Sequence, residues 1–282
     1  MAATPPFSSS DLILSSTRDG VTTLTMNTPK RLNGWTMEMM EALKDAFRSA
    51  AKDEQTKALI LSGADPYYCA GVNLGATLRL GHPKVLHAMI VEANEALFNT
   101  FLDFPKPLLI AINGPAIGAA VTSATLCDGI IASDKATFST PFARLGVCPE
   151  GCSSVHFERL MGAATAERML GQEGWKPTAE EAKEAGLIQW VVPHEKLHEE
   201  AHRIASEWVE SGAQRTFRGG SERDELKAVN ARESLQLADC FLSAPFMKAQ
   251  FEFLWSKKKH GPAAMFLGML VSRPLWSRLL RD

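Results

Sequence analysis

The chain of 282 residues is long enough for one large domain or a domain with an appendage, and its composition, 45% hydrophobic and 22% charged, is ordinary for a globular protein. Its formal net charge of −2 provides no basic field for nucleic acid, and no stretch reaches the roughly 20 apolar residues of a transmembrane helix. We therefore expect neither a nucleic-acid partner nor a transmembrane segment. The five cysteines are scattered and odd in number, which favours reduced thiols.

The first two-thirds of the chain alternates strand and helix patterns. Residues 1–10 are rich in Pro and Ser and are predicted to be flexible. Val21–Met26 is a β-branched strand whose partner across Asp19-Gly20 is residues 12–16. Thr36 caps a helix that reaches about Asp53, with apolar residues at helical spacing. The next predicted elements are strand 58–62, loop 63–74, helix 84–103, strand Leu108–Ile112, helix 118–127, strand 129–132 and extended segment 136–140.

The last third is predicted to be almost wholly helical. Helices are expected over residues 153–160, Ala163–Leu170 and 179–185, followed by a final strand over 188–192. From His194 onward the pattern stays helical. The apolar tail, residues 261–282, is expected to pack on its own subunit or on a partner.

A run of small residues follows the strand Leu108–Ile112. Ala116, Gly118, Ala119 and Ala120 open the next helix. Residues this small let a ligand approach the backbone, and the first N–H groups of a helix are free to donate. This pattern predicts a site that stabilises an oxyanion.

The segment 148–154, CPEGCSS, contains one strong acid, Glu150, between Pro149 and Gly151. Taken alone, such a turn acid is more often on the surface. Combined with an oxyanion site, a single carboxylate suits the removal of a proton next to a carbonyl group.

Four strings, in order and correctly spaced, resemble the enoyl-CoA hydratase/isomerase (crotonase) superfamily over about residues 11–260, and most of all the peroxisomal-type Δ3,Δ2-enoyl-CoA isomerases. They are NTPKRLNGWT, YYCAGVNL, DFPKPLLIAINGPAIGAAVT and FSTPFARLGVCPEGCSS. The resemblance implies an α/β crotonase (ClpP-like) ββα superhelix with a C-terminal helical region, assembled as a homotrimer or hexamer. The domains expected from it are a flexible N-terminus (1–10), the spiral core (11–193) and a helical region (194–282) for active-site closure and oligomerisation.

The resemblance also implies residue roles. The oxyanion donors would be the backbone N–H groups of Ala70 and Ala119, and Glu150 would be the catalytic base, with Asn94 as an auxiliary group. An apolar wall of Phe142, Leu145 and Val147 would raise the pKa of Glu150. Residues expected to bind the acyl-CoA substrate are Lys30, Arg31, Cys69, Gly71, Val72, Asn73, Leu74, Gly118 and Phe142.

Two departures separate the chain from the hydratases of the superfamily. Where the hydratases place their two glutamates, this chain has Thr122 and Phe142, and Phe142 would exclude water. A third departure, Asn73, replaces an aspartate common in this loop and leaves that position's usual contact open.

These features predict a Δ3,Δ2-enoyl-CoA isomerase that moves a 3-enoyl-CoA double bond to the 2-trans position by a Glu-mediated proton transfer from C2 to C4. Coenzyme A would be part of the substrate, and no cofactor or metal is expected. The resemblance points to fatty-acid β-oxidation in the peroxisome, although the C-terminal LLRD is not a signal of the S-K-L type; otherwise a cytoplasmic location is expected. Two alternatives stay open: an enzyme acting on another acyl-CoA in specialised biosynthesis, and a non-catalytic acyl-CoA-binding module of the kind in chromodomain Y-like corepressors.

The segment 194–198, HEKLH, matches the zinc-protease pattern H-E-x-x-H, and His202 extends the row. Its Glu and Lys content predicts an exposed helix rather than a buried zinc site. Cys148 and Cys152 lack a second pair for a metal and are expected to pack in the pocket wall.

Overall fold

The structure is a computed structural model that describes residues 9–73 and 81–280. The strands within these residues are β1 Ile13–Arg18, β2 Val21–Met26, β3 Ala58–Gly63, β4 Leu108–Ile112, β5 Ala116–Ile117, β6 Gly129–Ser133, β7 Phe138–Ser139 and β8 Trp190–Val192.

Helices separate most of these strands and make up nearly all of the C-terminal third. The α-helices described are α1 Ser9–Leu12, α2 Met37–Lys52, α3 Pro83–Leu102, α4 Ala119–Thr125, α5 Phe142–Leu145, α6 Ser153–Met161, α7 Ala163–Leu170, α8 Ala179–Glu184, α9 Leu197–Glu210, α10 Arg223–Phe241, α11 Ala244–Ser256 and α12 His260–Trp276. Short 3-10 turns cover Pro29–Arg31, His194–Lys196, Arg218–Gly220 and Ser277–Leu280.

A six-stranded sheet with the order β1-β2-β3-β4-β6-β8 forms the centre. Only β1 and β2 pair antiparallel, and the other pairs in this sheet are parallel. Every residue of β3, β4 and β6 is buried, as expected for parallel strands covered on both faces. β5 and β7 form a separate parallel pair beside the sheet.

Alternation along the strands divides their side chains between two apolar layers. Leu59 and Leu61 of β3 lie in the layer with Leu43 and Phe47 of α2. Ile60, between them, lies in the opposite layer with residues of α9. Thus α9, the first helix beyond residue 193, packs on the sheet rather than with the helices that follow it.

The last helices form a further apolar cluster. Residues of α10, α11 and α12 pack with Leu86 and Ile90 of α3, and the rings of Phe241 and Phe246 stack at 4.5 Å. Val271 and Leu275 on α12 are exposed. The predicted homotrimer or hexamer, which such apolar residues would suit, stays a prediction.

Within the described ranges, no helix combines the length and the apolar character needed to cross a membrane.

The α/β prediction is confirmed, and most predicted elements lie within a few residues of their observed bounds. β5 and α5 were missed because elements of two and four residues are too short to show a period. The flexible segment predicted over residues 1–10 stays a prediction, since residues 1–8 lie outside the described residues, and α1 begins at Ser9.

Candidate active site

The loop after β3 is held by the segment 32–35. Trp35 N donates to Gly71 O at 2.8 Å, and Asn73 N donates to Trp35 O at 2.9 Å. The Ala70 amide donates to Leu32 O at 3.0 Å. Because that bond uses the only proton of the Ala70 amide, the prediction of Ala70 as the first oxyanion donor is wrong in this structure.

Val72 is the better candidate for that donor. Successive peptide groups of an extended segment point to opposite sides, so the Val72 N–H points away from Trp35. No acceptor for it is found in the described part of the chain. A Cβ on Gly71 would lie 2.5 Å from Ile117 O, so only glycine lets this loop touch the segment before α4.

The second donor lies where α4 begins. Gly118 (φ 59°) donates its N–H to Ser139 O at 2.7 Å, and Ala119 is the first helical residue. Val121 N and Thr122 N both donate to Gly118 O, at 2.8 and 3.2 Å. The amides of Ala119 and Ala120 precede these bonds and have no acceptor among residues 9–73 and 81–280, so they can bind a ligand oxygen.

Lys30 and Arg31 are exposed in the 3-10 turn Pro29–Arg31, beside the first donor loop. Buried Asn33 fixes this turn: its Oδ1 accepts from Thr28 N at 2.9 Å, and its Nδ2 donates to Ala64 O and Tyr67 O. The motif NTPKRLNGWT therefore holds two cations next to the Ala70–Asn73 loop.

Glu150 is a buried carboxyl group, with 5% of its surface exposed. Its Oε1 accepts a hydrogen bond of 3.0 Å from the Thr122 hydroxyl, one helical turn beyond Ala119. Burial raises the pKa of Glu150 to about 8; the Thr122 hydroxyl opposes this rise, and the like charge of Glu233 adds to it. A carboxylate with such a pKa is a much stronger base than one in water.

The turn after Glu150 fits tightly between α3 and α4. Gly151 has a φ of 63°, and a Cβ there would lie 2.4 Å from Phe98 Cε1 and 2.7 Å from Thr122 Oγ1. Ser153 Oγ closes the turn by donating to Glu150 O at 2.7 Å. Phe98 and Thr122 therefore border the turn that carries the acid.

The residues predicted to surround Glu150 are partly elsewhere. Phe142 is buried, and its ring lies 3.9 Å from a Cβ built on Gly118, beside the second donor. Val147 and Cys148 pack against the C-terminal apolar cluster. Asn94, the predicted auxiliary group, donates from Nδ2 to Ser234 Oγ at 3.0 Å. The side chain that donates a hydrogen bond to the Glu150 carboxylate is Thr122. Leu74 lies outside the described residues.

Cys69 contributes to the donor loop through its backbone. Its N–H donates to Pro115 O and its carbonyl accepts from Ile117 N, which joins the loop to β5. The side chain is fully buried, and burial raises the pKa of the thiol to about 12. Any contact of Cys69 with substrate would therefore involve its backbone and not its side chain.

The H-E-x-x-H segment has other contacts. His194 bonds Asp65 through Nε2 and Ser133 through Nδ1, both at 3.1 Å, and His202 accepts from Arg18. Among the residues described, no group of three or more His, Cys, Asp or Glu side chains is placed to hold a metal ion.

Sequence reasoning missed three neighbours of Glu150. Thr122 stood out only as the position of a hydratase acid, although its place one turn after Ala119 could have indicated a partner for the base. Phe98 was one of several apolar residues on a predicted helix. Glu233, on α10, had no local signal.

Thr122→Val is expected to raise the pKa of Glu150 further, because valine keeps the shape and removes the donor to the carboxylate. The loss should be about 1 kcal/mol of preference for the charged form. A carbon-13 NMR titration of the carboxyl group measures it. Thr125→Val is the matched control, since the Thr125 hydroxyl donates to Thr122 O within α4. An equal shift in both variants would contradict the assignment.

Comparison with known proteins assigns the chain to a family. The family model for enoyl-CoA hydratase/isomerase matches residues 16–232. Enoyl-CoA delta isomerase 2 of Rattus norvegicus is 35% identical over 263 residues, which cover 88% of this chain and 64% of that protein. Enoyl-CoA delta isomerase 3, peroxisomal, of Mus musculus is 32% identical over 262 residues, covering 88% of this chain and 79% of that protein.

A solved structure agrees with the assignment. The enoyl-CoA hydratase/isomerase of Pseudoalteromonas atlantica superposes with a TM-score of 0.74 at 27% identity, covering 88% of this chain and 97% of its own. The chain thus spans slightly less than two thirds of the rat relative but nearly all of this bacterial fold. The chain belongs to the enoyl-CoA hydratase/isomerase (crotonase) family.

Proposed function

We propose that the protein is a Δ3,Δ2-enoyl-CoA isomerase that converts a 3-enoyl-CoA to the 2-trans-enoyl-CoA. The observation that carries the proposal is the buried Glu150, held by Thr122 one helical turn from the Ala119 amide. This arrangement supplies one strong base and a place for the charge that the base generates. The names of the rat and mouse relatives support the same activity.

In the proposed reaction, the thioester carbonyl oxygen accepts hydrogen bonds from the amides of Val72 and Ala119. Glu150 removes a proton from C2, and the electrons spread over a dienolate whose charge rests on the thioester oxygen. Each preorganised donor contributes about 3–4 kcal/mol to that stabilisation. The protonated Glu150 then returns its proton to C4, and the double bond moves to C2–C3.

Among the described residues, the two positions that carry the hydratase glutamates do not supply a free acid, which supports an isomerase over a hydratase. Thr122 is already bonded to Glu150, and Phe142 is apolar, so neither activates water. Glu233 uses both carboxylate oxygens to accept from backbone amides, Cys152 N and Ser154 N. These groups fit a reaction in which a single base transfers one proton between two carbons of the same substrate.

The remaining roles follow from placement. Lys30 and Arg31, exposed beside the donor loop, would meet the phosphates of coenzyme A. Gly71, Val72, Asn73 and Gly118 would line the thioester, and Phe142 would exclude water beside it. We propose fatty-acid β-oxidation as the pathway and, from the mouse relative's name, the peroxisome as the compartment.

The direct test is the rise in ultraviolet absorbance when a purified 3-enoyl-CoA becomes the conjugated 2-enoyl-CoA. Turnover without 3-hydroxyacyl-CoA among the products supports an isomerase. Hydroxyacyl product from 2-enoyl-CoA would indicate a hydratase. Binding of acyl-CoA with no turnover would favour the non-catalytic module, and turnover confined to other acyl-CoA esters would favour a biosynthetic enzyme.

The pH dependence of kcat/KM should report the ionisation of Glu150. The base acts only as the carboxylate, and burial raises its pKa to about 8. We therefore expect kcat/KM to rise about tenfold per pH unit below that pKa and to level off above it. Initial rates between pH 5.5 and 9.5 check this. A plateau extending down to pH 6 would contradict it.

A further inference from the structure

Glu233 of α10 reaches the turn that carries Glu150. It is fully buried, its Oε2 accepts from Cys152 N at 2.6 Å, and its Oε1 accepts from Ser154 N at 2.9 Å. Both oxygens of one carboxylate therefore bind backbone amides two and four residues beyond the proposed base. Burial raises the pKa of Glu233, and the backbone donors on both oxygens oppose that rise by favouring the carboxylate form.

The turn needs support from outside. Gly151 (φ 63°) and Cys152 (φ 66°) are consecutive left-handed residues, a conformation that costs a residue with a Cβ. Cys152 is the N-cap of α6 but makes no side-chain capping bond. Glu233 takes over that role from another helix, because its two acceptors satisfy amides at the start of α6.

Support alone would not require a charge. A Ser or Asp at position 152 caps a helix locally, whereas a buried carboxylate costs solvation. This carboxylate also lies near a second one, since Glu233 acts as a like charge on Glu150. Burying this carboxylate therefore costs stability at the turn that must hold Glu150 in position and keep its pKa high.

We propose that Glu233 is a positioning residue of the active site: from the C-terminal helical region it binds the backbone of the Glu150 turn and fixes where the Glu150 carboxylate points. This inference rests on the proposed function only for its catalytic consequence. The two hydrogen bonds from Cys152 N and Ser154 N to the Glu233 carboxylate form a clamp on the turn. This clamp is a property of the fold and can be measured without turnover.

The pH dependence follows from the groups around this carboxylate. Glu150 and the Cys152 thiol face Glu233 from the turn, and Arg232 is its neighbour on α10. Cys148, just before the turn, also feels the charge of Glu233. Near Glu233, α10 contacts α3 through neutral groups, the Asn94–Ser234 pair and Asn230 with Asn99. Farther along α10 on either side, two charged pairs join the same elements, His87 with Asp239 and Lys227 with Asp103. Removing the Glu233 charge should therefore lower the pKa of Glu150, because one repulsion disappears while the Thr122 bond remains.

The test compares Glu233→Gln with the wild-type chain and with Glu225→Gln. The amide of glutamine has one acceptor and turns a donor toward the second backbone N–H, so at least one clamp bond is lost. Glu225 is a matched control on the same helix, where it pairs with Arg159. We measure hydrogen exchange of the Cys152 and Ser154 amides, kcat and KM for a 3-enoyl-CoA, and the pH profile of kcat/KM.

For Glu233→Gln we expect exchange to accelerate at least tenfold at one or both of the Cys152 and Ser154 amides. We expect kcat to fall about 10- to 100-fold with KM within about threefold, and the acidic limb of the kcat/KM profile to move to lower pH. Glu225→Gln should change none of these. Loss of kcat with an unmoved limb and unchanged exchange would overturn the inference, because the turn would then be held without Glu233.

Two further outcomes are informative. If Glu233→Gln does not fold, Glu233→Asp keeps the charge but is one methylene too short to reach both amides. Faster exchange in that variant supports the clamp, and wild-type exchange overturns it. If the wild-type chain fails to isomerise 3-enoyl-CoA, the proposed function fails, and the exchange data still decide whether Glu233 holds the turn.

Discussion

Glu150→Gln is expected to lower kcat for 3-enoyl-CoA isomerisation by at least about 10³-fold. Glutamine keeps the volume and the acceptor for the Thr122 hydroxyl, which donates at 3.0 Å, but it cannot take a proton from C2. A positioned acid–base group contributes roughly 10²–10⁴ in rate, and here one group serves both proton transfers. Activity within tenfold of the wild type would show that another group is the base.

The stability of this variant provides its control. The pKa of Glu150 rises from 4.5 to about 8 on folding, so the native protein prefers the protonated acid. The contribution of protonated Glu150 to the free energy of unfolding is fully present below about pH 4.5. It is lost as the pH rises through 8, at up to about 1.4 kcal/mol per pH unit. Glu150→Gln should therefore unfold at a higher temperature than the wild type at pH 8.5 and at a similar temperature at pH 5. A less stable variant at pH 8.5 would mean that its inactivity reflects misfolding.

Ala119→Pro is expected to reduce kcat about 10²- to 10³-fold, the usual cost of losing one oxyanion donor. Proline is favoured at the first residue of a helix, and the Ala119 amide has no acceptor within the described residues, so the change removes the proton at little structural cost. Steady-state kinetics with one 3-enoyl-CoA measure the effect.

A second proline controls for the backbone change. Ala163 also begins a helix after a glycine with positive φ, Gly162, and it is exposed in α7. Ala163→Pro should keep wild-type kcat. If both variants lose activity equally, proline disturbs the fold in general, and the assignment of Ala119 as a donor loses its support.

The sequence predicted most of the longer helices and strands because hydrophobic period and turn residues are local signals. The strands Val21–Met26 and Leu108–Ile112 were predicted with their observed bounds. Elements of two to four residues, such as β5 and α5, fall below the length at which a period can be recognised. Family resemblance supplied what local patterns lack, namely the closure of the units into one spiral.

The site was predictable where its chemistry is tied to residue type. It was less predictable where the chemistry depends on the direction in which a backbone amide points. Glu150 is the one strong acid in its segment, and Ala119 begins a helix. The choice between Ala70 and Val72 depends on which side of the loop each amide faces, which the sequence does not contain. Glu233 could not be found because its partners, Cys152 and Ser154, lie about eighty positions earlier and bind it through backbone atoms.

The contact of Gly71 with Ile117 has a consequence for which substitutions this chain can accept. Because Gly71 has no side chain, its backbone touches the backbone of Ile117, next to the amides proposed to bind the thioester oxygen. That junction cannot be widened by one substitution without forcing the chains apart. We therefore expect any change of acyl preference in this chain to require substitutions away from the Gly71–Ile117 contact.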